Sequence, residues 1–288
     1  MTDQNDPDEH PDVQKLRAEP DPARRGALAT AILDGQRAVR DEVTRIRLEC
    51  VDQLYAQGLE RPQIAETIGV SPGRISQMRR AGPRPERALL GTSHLTVALG
   101  GKQEADKSQP GPVVSQDDLV AYEYLATCAS ELGLTTSSDV VQPPGHINLN
   151  RPNLVVVCGP RLSPNVAEIL DGDPHYGFAK AENWYLYERA RGGRSFPSPI
   201  DGDPATSDDV AYLGRLPRPD RRGTFLYLAG VHAPGCAVAA HYLTGHLAEL
   251  YETAPGRSPW SLLVQGSFDT DRRITSSEAV TDLRRWSE

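Results

Sequence analysis

Residues 60–82 read ERPQIAETIGVSPGRISQMRRAG, and the spacing of their small, apolar and turn-forming residues decides the fold of the N-terminal part. Two short helices that cross steeply need particular residue types at fixed offsets. Ala65 is small where the helices approach, and Gly69, four positions on, tolerates the left-handed backbone of a tight turn. Ile64, Ile68 and Val70 meet in the crook, while Ile75 and Met78, three apart, form the inner face of the second helix. Ser71-Pro72 supplies an N-cap and a first-turn proline, and Arg61-Pro62 opens the first helix in a similar way. The pattern predicts a helix-turn-helix.

The outer face of the second helix carries Ser71, Pro72, Gly73, Arg74, Ser76, Gln77, Arg79 and Arg80. Arg84 and Arg87 follow, so residues 71–90 hold five arginines against one acid, Glu86. Residues 40–82 resemble the DNA-reading helix-turn-helix of sigma region-4-like and related bacterial families. The resemblance implies that the N-terminal part of the second helix faces base edges in the major groove of double-stranded DNA. Arginine there pairs with guanine and glutamine with adenine, each through two hydrogen bonds. Arg84 is expected on a phosphate. The plain alternative, a helical hairpin within an all-α interaction domain, explains neither the arginines nor the turn.

Upstream, residues 22–57 read as helix. Val43, Ile46, Cys50 and Leu54 form one row, Leu48, Val51 and Tyr55 a second, and Gly35 is expected to divide the stretch into two helices. Asp3, Asp6, Asp8, Glu9 and Asp12 crowd the first twelve residues, which predicts a disordered acidic tail over 1–20. Downstream, GGKQEADKSQPGP (100–112) holds two of the four lysines and reads as an interdomain linker. The expected organisation is therefore an acidic tail over 1–20, a DNA-binding domain over 21–95, a linker over 96–112 and a second domain over 113–288.

That second domain mixes signals. Residues 115–132 and 163–170 read as helices. NLVVVC (153–158), 209–216, FLYLA (225–229) and SLLVQGSF (261–268) read as strands, and WYLYER with RSFPSPI as a hairpin. Helices are expected over 235–251 and 276–286. Strands interleaved with helices predict a parallel or mixed sheet with helical cover. NLVVVCGPRLSPN, DVAYLGRLPRPDRRGTFLYLAG and VHAPGCAVAAHYL together resemble a Rossmann-like domain of unsettled function, found in actinobacterial proteins beside DNA-binding or signalling modules. The resemblance covers about 113–270 and carries no catalytic residue. The fold class expected is thus α+β multidomain, an all-α helix-turn-helix domain joined to a Rossmann-like α/β domain.

Two strand exits stand out, at Gly159 with Arg161, and at Gly230 with His232, Gly235 and Cys236. A strand, a glycine loop and a helix start often dock anions, because free backbone N–H groups and the helix dipole favour them. A small anionic or nucleotide-like ligand is expected there, contacted by Arg161, His232 and the N–H groups of 235–237. The competing reading is that the glycines only shape turns. His232 and Cys236 also admit a Cys–His nucleophile, against the plainer reading of an inert thiol beside a turn histidine. Trp184, Tyr185 and Tyr187 read as packing. His241 and His246, five apart, fall on different helix faces, so no metal is expected, and no motif calls for a cofactor.

Hydrophobic residues make up 38%, and the 24 prolines and 25 glycines suit linkers and irregular stretches. A net charge of −8 argues against indiscriminate coating of nucleic acid and leaves room for a local basic face. Cys50, Cys128, Cys158 and Cys236 are widely spaced, as buried reduced thiols in a cytoplasmic protein are. No run reaches the roughly 18 apolar residues of a membrane span. The function expected is a sequence-specific transcriptional regulator whose second domain senses a ligand, dimerises the chain, or both. A homodimer doubles a short half-site, and 113–288, as the larger apolar body, is the favoured interface over 22–57. Two alternatives stand beside it: a nucleotide-processing enzyme or effector targeted by the helix-turn-helix, and a structural DNA-binding protein whose second domain only dimerises it.

Overall fold

The computed structural model describes residues 10–81, 84–104, 108, 109, 111–254, 256 and 258–286. The chain divides into two compact units, Met1–Gly82 and Pro83–Glu288.

The first unit is helical, with α1 (Pro11–Ala18), α2 (Pro22–Ala56), α3 (Arg61–Thr67) and α4 (Pro72–Ala81). Asp21 caps α2 through its carboxylate, and Pro22 sits at the first helical position. α2 runs unbroken for 35 residues, so Gly35 does not divide it. An interior glycine costs only about 1 kcal/mol against alanine, which long flanking helix tolerates. Residues 11–18, expected within a disordered tail, are helical, while Asp3, Asp6, Asp8 and Glu9 lie outside the described residues. Val51, Ile64, Ala65, Ile75 and Met78 form one small core. Gly69 turns the chain between α3 and α4 at φ +71°. The inner residues read from the sequence are those that pack.

The second unit is mixed α/β. Its strands are β1 (His94–Gly100), β2 (Lys102–Gln103), β3 (Pro112–Val113), β4 (Thr135–Val141), β5 (Leu154–Val157), β6 (Tyr176–Lys180), β7 (Trp184–Glu188) and β8 (Ser195–Pro197), then β9 (Asp208–Pro217), β10 (Thr224–Gly230), β11 (Trp260–Phe268), β12 (Ile274–Ala279) and β13 (Arg284–Arg285). The helices are α5 (Gln116–Glu131), α6 (Pro164–Asp171), α7 (Ala233–Gly245) and α8 (Leu247–Thr253). The main sheet runs β12-β11-β9-β10-β5-β1-β4, with β13 beside β11. β4, β1, β5 and β10 are mutually parallel; β9, β11 and β12 add antiparallel pairs. Alternate residues of β5 feed two cores. Val155 and Val157 pack with Leu125 of α5 and Leu243 of α7, whereas Leu154 and Val156 pack with Leu170 of α6 and Leu186 of β7. Burial on both faces explains the continuous apolar run.

Three sequence expectations change. The stretch 96–112 is not an interdomain linker: its first residues belong to β1, a buried strand inside the sheet, and Lys102–Gln103 pairs with Pro112–Val113. The division instead falls at Gly82-Pro83. Residues 276–286 are not helical, because β12 and β13 pair with β11. The helix expected over 235–251 breaks at His246, whose Nδ1 sits 3.0 Å from the Tyr242 carbonyl and whose ring stacks on Tyr242. A side chain that engages the backbone carbonyl of the preceding turn competes with the helix ladder.

Candidate functional site

In the first unit, Ser71, Pro72, Gly73, Arg74 and Gln77 are exposed, with Ile75 and Met78 buried on the opposite side of α4. Ser71 Oγ accepts from Arg74 N–H at 3.2 Å and so caps the helix. Arg74 Nη1 reaches Gln77 Oε1 at 3.4 Å. Ser76, half-buried, accepts from Arg61 Nη1 at 3.0 Å, which ties α4 to α3 instead of leaving its hydroxyl outward. The backbones of Arg79 and Arg80 belong to α4; their side chains lie outside the described residues. Arg84 belongs to the second unit, where it stands 4.0 Å from Glu86.

Sequence reading missed a cleft beside α4. Arg40, Thr44 and Arg47 of α2 line it together with Arg74 and Gln77, and its volume is about 500 Å³. Arg40, Thr44 and Arg47 lie four and three residues apart, one face of a helix. Among the described residues no acid lines the cleft, and Arg47 Nε is buried without a partner. Arg40, Arg47 and Arg74 thus bring three guanidinium groups to one cleft, and such groups pair well with phosphates and carboxylates.

In the second unit, the ends of β1, β5 and β10 open on one edge because the strands are parallel. The chain leaves β1 through α5 to β4 on one side and leaves β5 toward the other, so a switch point lies between them. Ligands of open α/β sheets bind in such crevices. The two strand exits singled out in the sequence do converge there. Gly159, Arg161, Gly230, His232 and Cys236 all line one cavity of about 40 Å³. Lys102, Asp118, Phe178 and Trp184 complete it. Lys102 escaped notice inside a supposed linker, and Trp184 was read as packing.

Asp118 is 4% exposed, and burial raises its carboxyl to about 6 from 3.8. The Cys236 thiol lines the same cavity and pulls that carboxyl partly back down. Its neighbour Asp117 is equally buried but holds Arg272 in a two-bonded ion pair, at 2.9 and 2.6 Å. Asp118 has no ion pair among the described residues. A pair of adjacent acids thus splits into one that fastens the fold and one that faces the cavity.

At the start of α7 a carboxylate of the protein already takes part of the place expected for a ligand's anion. Asp209, fully buried, accepts from His232 N–H at 3.0 Å and Gly235 N–H at 2.8 Å through one oxygen. Its other oxygen accepts from Ser198 Oγ at 2.7 Å and Val210 N–H at 2.9 Å. Burial pushes this carboxyl up while those donors pull against it. Of the N–H groups of 235–237 expected to receive an anion, that of Gly235 is therefore already held by the protein itself. Gly235 serves packing: a Cβ there would lie 2.5 Å from Gly230 Cα. Burial and then the Asp118 charge hold the Cys236 thiol well above its ordinary value, which works against a thiolate nucleophile. His232 keeps a polar role at the rim, with Nε2 2.9 Å from Asp201 Oδ2.

No family model, curated protein or solved structure matches this chain. Among the described residues no group of three or more His, Cys, Asp and Glu could hold a metal ion. No helix among them is long and apolar enough to cross a membrane. Two of the cysteines expected to be buried are not, since Cys50 is exposed and Cys128 intermediate.

Proposed function

We propose that this protein is a sequence-specific DNA-binding regulator, reading double-stranded DNA through a helix-turn-helix formed by α3 and α4. One observation carries this: the exposed Arg74 and Gln77 of α4 border a cleft with Arg40 and Arg47 of α2, and no acid lines it among the described residues. Arg74 and Gln77 offer two-bonded pairs to base edges, and the arginines of α2 offer charge to phosphates. In a chain of net charge −8, residues 71–90 hold five arginines against one acid, a local basic stretch over α4 and just beyond it. Arg74→Ala or Gln77→Ala should cost about 1–3 kcal/mol on a preferred site. Arg40→Ala or Arg47→Ala should weaken all sequences alike and lower the salt slope by about 1. Gel shifts across a salt series measure both. Equal losses for all four variants on all sequences would refute base reading by α4.

The regulator acts as a homodimer through α2. Val39, Val43 and Ile46 are 64%, 57% and 45% exposed, and Cys50 is exposed as well. Spacings of four, three and four residues are those of a coiled-coil seam. The opposite side of α2 places Leu48 and Val51 in the core of the first unit. This interface replaces the one favoured on size, within 113–288.

The second unit serves as a Rossmann-like sensing module, with its ligand at the β1, β5 and β10 ends. Processing of that ligand is a second reading, favoured by the His232–Asp201 pair at the rim, since a carboxylate orients an imidazole for proton transfer. Chromatography of a bound ligand after incubation separates the two.

A further inference from the structure

The cavity at the β1, β5 and β10 ends has a polarity that narrows what fits it. Its floor holds Asp118, buried and without an ion pair among the described residues. Lys102 and Arg161 also line it; both are exposed, and neither side chain has a hydrogen bond or ion pair among the described residues. Phe178 and Trp184 supply an apolar wall, with Trp184 half-buried. The partly open space of about 40 Å³ holds roughly three water-sized groups.

Each feature excludes a class. A bare anion in the depth meets the Asp118 carboxylate. A cation in the depth shares a small space with Lys102 and Arg161. What remains is a neutral group with several donors in the depth and an anion at the mouth. Hydroxyls satisfy a carboxyl in either protonation state, since each can donate and accept. Two cations at one mouth, without partners among the described residues, match a phosphate, whose charge is about −1.5 to −2. The N–H groups of His232 and Gly235 take no part, because Asp209 already holds them.

We propose that this cavity binds a phosphorylated sugar, free or as the sugar phosphate of a nucleotide, with its hydroxyls on Asp118 and its phosphate on Lys102 and Arg161. The three water-sized places take the hydroxyl-bearing edge of the ring. In a nucleotide the base then lies against Trp184 and Phe178. The proposal deepens the sensing role given to the second unit, but binding itself is read without DNA.

The test is calorimetric titration of the full chain with ribose 5-phosphate, adenosine monophosphate, ribose, inorganic phosphate and glutamate. Binding of either phosphorylated sugar, at least tenfold tighter than ribose or inorganic phosphate, is expected. If ribose 5-phosphate binds as well as the nucleotide, the free sugar phosphate is the ligand form; if only the nucleotide binds, the base contributes. Arg161→Ala and Lys102→Ala, both at exposed positions, should each weaken that binding at least tenfold, and Asp118→Ala should abolish the preference for the sugar over inorganic phosphate. Inorganic phosphate binding as tightly as the sugars, glutamate binding in their place, no binding at millimolar concentration, or phosphorylated-sugar binding that survives both cation replacements would each overturn the proposal. A gel shift on the same preparations keeps the two readings apart: DNA binding without ligand binding overturns this site alone, and ligand binding without DNA binding overturns only the regulator.

Discussion

At the scale of single residues, Asp117 and Asp118 show how far sequence reaches. Both read as acids favouring a helix N-terminus, and both occupy the first turn of α5. Nothing in the dipeptide says that Arg272, 155 positions away, will neutralise only the first. A carboxyl that titrates near 6 and not 3.8 carries about 3 kcal/mol against its charged form in the folded state. Its folded value is raised, so the fold loses stability as pH rises from about 4 to 6 and keeps that full cost above 6. Asp118→Asn should therefore flatten the stability curve between pH 4 and 6 and raise stability at pH 7.5, by up to about 3 kcal/mol. Denaturant melts at several pH values measure this; an unchanged pH slope would contradict it. Gly235 gives the opposite lesson. The sequence marks it as a glycine beside a helix start, which suits a ligand and a close packing contact equally. The 2.5 Å approach of a Cβ to Gly230 Cα favours packing. Gly235→Ala should destabilise the second unit by about 1–3 kcal/mol, as overpacking does. A melting curve without bound ligand that matches wild type would contradict the packing role.

At the scale of elements, periodicity was legible where the hydrophobic pattern dominated and not where partners decided. NLVVVC and FLYLA read as strands because both faces of β5 and β10 are buried. HLTVALG is as apolar, yet its glycine- and lysine-bearing sequel obscured β1, although six of its seven residues are buried. SSEAVTDLRR has an acceptable helical composition, but the edge of β11 claims its first part as β12. Pairing with a distant strand overrides local propensity and leaves no local trace. The two rows on α2 were visible, and only the structure separates them. Leu48 and Val51 turn inward, whereas Val39, Val43 and Ile46 stay outward. Val43→Glu should convert a dimer to a monomer by light scattering of the full chain. In a parallel dimer, mild oxidation should also cross-link Cys50 to its counterpart while the buried Cys158 and Cys236 stay reduced. A Val43→Glu chain that remains dimeric places the interface elsewhere.

At the scale of the whole molecule, a helical unit with a local cluster of arginines and a larger α/β unit share one chain whose net charge is −8. Composition alone argues only against indiscriminate nucleic-acid binding. The arrangement of Arg40, Arg47, Arg74 and Gln77 around one cleft turns that into a case for selective reading. Two such heads held by paired α2 helices should recognise two inverted half-sites about one helical turn, or a whole multiple of it, apart. Binding-site selection from random or genomic DNA, at about 150 mM salt where non-specific attraction is screened, tests this most directly. The expected result is one recurring sequence with two-fold symmetry that Arg74→Ala no longer selects. Recovery of no preferred sequence by the wild-type chain, or of the same sequence by Arg74→Ala and Gln77→Ala together, would contradict DNA reading by α4.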